Sequence, residues 1–239
     1  YKTMEQGGKH AAAVTRETQR SIAALNAELV SVKSTATGLA GAFAGAFATH
    51  QLIQYADTWN QLSGRLRLAS TGAEDFAAAQ RSLMAISQRT GTSFEANATL
   101  YARIASSLRD AGYASTDVAK VTETVATSLK LSGASTEEAS SVITQLSQAL
   151  GSGVLRGEEF NAIMENGGRL AKLLADGMKT TVGGLRNMAQ NGQLTTDKIV
   201  PLLTNVELLR KEFETLPASI SGSAQKVENA FLAWVGGAN

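Results

Sequence analysis

The chain contains no cysteine and only two prolines, Pro201 and Pro217, in 239 residues. Without thiols there is no disulfide framework, no thiolate zinc site and no redox dithiol. Scarce proline beside abundant Ala, Leu, Ser, Thr and Gln removes the commonest helix interruption and favours long helices. Aromatic residues are 5% of the chain. Neither charge sign dominates: 22 Lys and Arg stand against 21 Asp and Glu, a net charge of +1. Tight sequence-independent DNA binding needs many unopposed cations on phosphates, so a polyanion is not expected as the principal ligand, although local basic patches remain compatible with the composition. The opening "YKTMEQGGKH" is polar and has no signal-peptide core. Beginning on Tyr1 and ending on "AWVGGAN" straight after a periodic stretch, the sequence reads as a piece of a longer protein.

What is present is helical periodicity. Ile22, Leu25, Leu29, Val32, Ala36, Leu39, Phe43 and Ala46 alternate at spacings of three and four. That heptad seam favours a partner helix over an amphipathic helix lying on its own domain. Inside it, "GLAGAFAGAFA" at 38–48 carries the Gly41–Gly45 small-residue spacing of close helix contacts. The uncharged run 34–55 includes Ser34, Thr35, Thr37, Thr49, His50, Gln51 and Gln54. Its apolar part falls short of the roughly 20 residues a membrane span wants, so a close-packed helix interface is the preferred reading.

Punctuated helical segments follow. One continues through Tyr55, Trp59, Leu62 and Leu66 to Thr71–Gly72, and another runs past Phe76 and Ile86 to Gly91. "TSFE", from Thr92, and "STEE", from Ser135, both read as capping boxes. Gly112 and Gly133 close the two helices that lie between these boxes. Thr195 is expected to cap one helix, bent at Pro201 and running to Phe213. No stretch alternates at period two. The expected fold class is all-α: a multi-helix compact domain over 54–217, an N-terminal coiled-coil-like helix over 1–53, and the start of an outgoing helix over 218–239.

The residues closest to a chemical motif are "QALGSGVLRGEEF", 148–160. Gly151, Gly153 and Gly157 do not match a phosphate loop, which needs Gly-Lys-Ser/Thr after its glycines, nor a dinucleotide fingerprint, which follows a strand. Glu158 and Glu159 could in principle act with Glu165 as a hydrolase pair, but adjacent helical residues point about 100° apart. A structural corner explains them better. Gly151 suits a left-handed C-cap, Gly153 a turn, and Gly157 a close approach or the start of a helix whose first turn carries both carboxylates. A valine at 157 is then expected to clash severely with the neighbouring backbone. His10 and His50 are the only histidines, no nucleophile elbow or zinc-protease helix occurs, and the "NAT" sequon at Asn97 lies in an expected helix. No catalytic, cofactor-binding or metal-binding residue is assigned.

The order of "SGASTEEASSVITQLSQALGSGVLRGEEFNAIMENG" and "GGLRNMAQNGQLTTDKIVPLL" resembles the N-terminal signature domain of bacteriophage tail tape measure proteins. The earlier "GRLRLAS" and "GTSFEANATLYARIA" resemble its upstream segments, so the likeness runs from about Trp59 to Trp234. The signature positions are Gly151, Gly153, Leu155, Arg156, Gly157, Glu158 and Glu159; one departure is Gly167–Gly168, where the family often has proline. The resemblance implies a non-enzymatic ruler in the lumen of a phage tail tube, setting tail length and leaving ahead of DNA. The seam Ile22, Leu25, Leu29, Val32, Leu39 and Phe43 itself predicts association of about three copies of the chain, and the resemblance implies that they run parallel. Tail tube, tip or baseplate proteins and assembly chaperones are implied as well, in the host cytoplasm during assembly, and ejection allows membrane contact. Two other functions fit a helical, site-poor chain: a coiled-coil signalling or pore-forming protein, and a segment of a cell-wall hydrolase.

Overall fold

The computed structural model describes residues 49–216 and 220–237. The seam residues Ile22 to Phe43, the "GLAGAFAGAFA" stretch and His10 lie outside the described residues. Eleven α-helices follow one another among those described: α1 Thr49–Ala69, α2 Ala73–Thr90, α3 Phe94–Asp110, α4 Ser115–Leu131, α5 Thr136–Ser152, α6 Gly157–Asn166, α7 Gly168–Gly177, α8 Val182–Gln190, α9 Thr196–Leu203, α10 Glu207–Glu214 and α11 Ile220–Gly237. The fold is all-α. No described helix is long and apolar enough to cross a membrane.

The body is arranged around α4. Every residue from Val121 to Leu129 is buried, because α2, α3, α5, α7, α9 and α10 all pack against this helix. A helix covered on all sides should be apolar all round. This one still carries Thr122, Glu123, Thr124, Thr127 and Ser128 inside. Thr122 satisfies its hydroxyl by donating to the Val118 carbonyl at 2.9 Å, and Glu123 is met by two arginines described below. Around α4 the core is mostly aliphatic, with Phe94, Tyr101 and Phe160 as its largest fully buried side chains.

Helix ends follow local chemistry, with three adjustments, one of which is that Thr195 stands at the N-cap of α9 but its hydroxyl makes no cap bond. Ser135 and Glu138 form the expected capping box: the Glu138 amide donates to Ser135 Oγ at 3.3 Å, and the Ser135 amide to Glu138 Oε2 at 2.7 Å. At α3 the N-cap is Ser93, which accepts from the Ala96 amide at 3.4 Å, and not Thr92 as "TSFE" suggested. The Thr92 hydroxyl is engaged elsewhere, with Thr90 Oγ1 at 2.7 Å and the Asn97 amide at 2.9 Å. The expected single helix from Thr195 to Phe213 is two helices, broken at Thr204–Asn205. Pro201 has no N–H for the carbonyl four residues back, and Thr204 turns its hydroxyl onto the Pro201 carbonyl at 3.0 Å.

α1 runs through the expected boundary at 53/54 without interruption, and α11 is built into the body over its described length. Leu232 and Val235 are buried, and α11 packs on α1 and α2. Tyr55 and Phe231 meet edge to face at 5.1 Å, and the Tyr55 hydroxyl donates to Glu228 at 3.3 Å. One turn further on, the Trp59 ring lies against Gly236 so closely that a Cβ there would overlap it. Gly91, the left-handed C-cap of α2 at φ 64, similarly lets the α11 backbone approach at Gly222.

Candidate functional site

The glycine corner holds together two segments far apart in sequence. α5 continues through Gly151 and Ser152 and ends on Gly153, whose φ of 86 is left-handed. The C-cap is therefore Gly153. Gly151 is an ordinary helical residue, which corrects the expected assignment of both. The chain then extends for three residues, and Val154 forms an isolated antiparallel bridge with Thr195. The Leu155 amide donates to the Leu194 carbonyl at 2.8 Å, and the Thr196 amide to the Gly153 carbonyl at 2.9 Å. Leu155 and Leu194 are both fully buried beside this bridge. Sequence periodicity gave no sign of the pairing, since one bridge is too short to alternate. The available signal was that each leucine stands alone between two turns.

Arg156 occupies the N-cap position of α6 with extended backbone and makes no side-chain cap. Gly157 is the first helical residue, and a Cβ there would sit 3.6 Å from Gln190 Cγ, an ordinary contact. The expected backbone clash at 157 is absent, because the nearest neighbour is a flexible side chain. Glu158 and Glu159 stand in the first turn, as their spacing required. Glu158 is exposed, while one oxygen of Glu159 is buried. Glu165 follows Glu158 two helical turns later, about 10 Å along the axis at about 1.5 Å per residue. Glycosidase carboxylates stand about 5 to 9.5 Å apart across a substrate cleft, and both of these glutamates are on the open surface. The corner links elements; it does not converge on a substrate.

Sequence reasoning missed the charged brace on the same body. Glu123, 5% exposed, accepts from Arg89 of α2 at 2.6 Å and from Arg210 of α10 at 2.6 and 2.8 Å. Arg210 also reaches Glu207 at 2.8 Å. A second tie is the two-pronged pair of Arg169 on α7 with Glu212 on α10, at 2.6 and 2.7 Å. The Arg169 bond holds the Glu212 carboxyl below the usual glutamate range. Only tertiary contacts reveal these partners, because Arg89, Glu123 and Arg210 are 34 and 87 residues apart.

Asn97, the sequon residue, is 1% exposed and donates to Ser87 at 2.7 Å and Thr92 at 2.9 Å, so in the folded body it is a core polar residue closed to a glycan. Asn229 of α11 plays a similar part: its Oδ1 accepts from the Phe94 amide at 3.0 Å and its Nδ2 donates to the Thr92 carbonyl at 2.8 Å. It thereby satisfies a free N–H at the start of α3. Among the described residues no group of three His, Cys, Asp or Glu side chains could hold a metal ion. A shallow polar groove beside α1 and α11 is lined by Gln54, Thr58, Glu95 and Glu228 without any such cluster.

The described body is all-α, and its buried and paired polar side chains tie one helix to another. A family model described as tape measure protein matches residues 50–239. The chain therefore belongs to the tape measure protein family, a structural family, and is a component of phage tails. Comparison with curated proteins and with solved structures gives no match.

Proposed function

We propose that the chain acts as a length ruler within the lumen of the tail tube and leaves the tube ahead of DNA at ejection. The family match across 50–239 carries this reading. In it, the compact body is a terminal docking module for tube, tip or baseplate proteins and assembly chaperones, and the flanking helical chain does the measuring. A helix suits that task because each residue adds a fixed rise of about 1.5 Å. The ruler is assembled in the host cytoplasm, binds no specific nucleic acid, and can contact a membrane at ejection.

Several copies, about three, associate in parallel through Ile22, Leu25, Leu29, Val32, Leu39 and Phe43. What supports this is register. Carried forward in sevens, the seam falls on Ile53, Asp57, Asn60 and Gly64, which are all exposed on α1. Tyr55, Trp59, Leu62 and Leu66 occupy the opposite side of that helix, against the body. The body thus leaves the seam's side of α1 uncovered.

Disrupting the gene and viewing the resulting particles by electron microscopy tests the reading. Tails that are missing, or tubes of uncontrolled length restored by the intact gene, are expected. Tails of normal, uniform length without the gene would contradict it.

A further inference from the structure

The first and last described helices are direct neighbours, and they run the same way. Tyr55 meets Glu228 and Phe231, and one turn later Trp59 meets Gly236. Positions rise together along α1 and α11, which defines a parallel pair. A chain arriving through α1 therefore comes in at one end of the pair, and α11 leads out at the other.

Force applied along the chain at these two helices pulls α1 back by its N-terminal end and α11 forward by its C-terminal end. The helices are then made to slide past each other. In sliding, every contact across the interface is loaded at once. In peeling, contacts fail one after another, so each rupture needs less force. The contacts here are suited to resist sliding. Trp59 sits against Gly236 where no side chain intervenes, and it is stacked on Phe94 at 5.7 Å. α11 is also fixed to the rest of the body by the two Asn229 hydrogen bonds and by Gln88 donating to the Lys226 carbonyl at 3.0 Å.

We propose that the α1–α11 pair is a shear clamp, which keeps the body folded while the chain running through it bears axial tension. Its use in a ruler that is stretched and expelled rests on the tape measure reading; the clamp itself rests only on the geometry. The body is then inserted in line with the chain instead of hanging from it as a side loop.

Optical-tweezers unfolding of the full chain tests this, and the absence of native cysteine allows site-specific handles. One variant carries Ile53→Cys with Gly237→Cys, which loads the pair along its axis. The other carries Ile53→Cys with Val227→Cys, which pulls the helices apart sideways at one level. All three positions are exposed, and a Cβ at Gly237 meets nothing within 4 Å, so both variants should fold as the parent does. At the same loading rate the first variant is expected to rupture at the higher force, since forced unfolding follows the barrier along the pulling direction. Equal forces, or a lower force for axial loading, would overturn the clamp and leave the family assignment untouched.

Discussion

Gly153 and Gly157 stand four residues apart and answer to different constraints. Gly153 has a φ of 86, a conformation that costs an ordinary L-residue roughly 1–2 kcal/mol. Gly157 has helical geometry and room for a Cβ. Gly153→Ala should therefore lower the melting temperature by several degrees, at roughly 2–4 °C per kcal/mol for a chain of this size. Gly157→Ala should stay within about 0.5 kcal/mol of the parent, since a Cβ makes only an ordinary contact there and alanine is the better helix former. Thermal unfolding followed by circular dichroism checks the pair, and a larger loss at 157 than at 153 would contradict the assignment. The sequence showed that a corner exists here. It did not show which glycine turns the chain, because three glycines in seven positions are locally interchangeable until the helix before them is known to run two residues longer.

Glu123 is the side chain whose loss should be felt most among the carboxylates. Removing one member of a buried ion pair costs about 3–5 kcal/mol, but Arg89 and Arg210 are 44% and 37% exposed, so solvent screening reduces this to about 1–3 kcal/mol. Urea unfolding of Glu123→Gln should show that loss. Glu158→Gln with Glu159→Gln should cost under about 1 kcal/mol, as expected for first-turn charges facing a helix dipole. A ranking in which the corner glutamates outweigh Glu123 would restore a special role for the corner. Glu123 was invisible in the sequence because its two partners lie on distant helices and nothing local marks it as buried.

Among the elements, α5 and α10 show what helix ends contribute and how that varies with pH. The Ser135–Glu138 box and the Arg169–Glu212 pair hold their glutamates below the ordinary value of 4.5. A carboxyl depressed on folding stabilises the fold fully above its unfolded value, and the stabilisation is lost as pH falls through the folded one. Stability should hold from neutral pH to about 5 and decline below about 4.5 as these groups take up protons. Glu212→Gln should flatten part of that decline, and melting temperature against pH for both proteins checks it. An unchanged slope would mean the Arg169 tie does not contribute. Element positions were largely legible. Gly91, Gly112 and Gly133 end helices as read, and Ser135 starts one. The shift from Thr92 to Ser93, and the break after α9, were not. Both depend on hydroxyls choosing between nearby partners, and a sequence pattern does not rank those choices.

For the whole molecule, the order of motifs carried more information than any single residue. The two stretches "GSGVLRGEE" and "NGQLTTDK" meet in space through Leu155 and Leu194, so their occurrence in sequence reflects one structural unit. The seam makes its own prediction at this scale. Leu25→Asp with Leu29→Asp places charge in the expected interface and should convert oligomers to monomers in analytical ultracentrifugation, with the helical content of the body retained. A wild-type chain that is already monomeric at high micromolar concentration would remove self-association from the account. The docking of α11 was not legible, because Val227, Phe231 and Trp234 have the spacing of an outgoing helix as readily as that of a docked one.

Tail length tests the central claim most directly. Deleting residues 15–35 from the phage gene removes three heptads, about 21 residues, and keeps the seam in register. At about 1.5 Å per residue, tails measured by electron microscopy should shorten by about 32 Å and remain uniform. Tails of unchanged length, with the shortened protein present in the particle, would contradict the ruler.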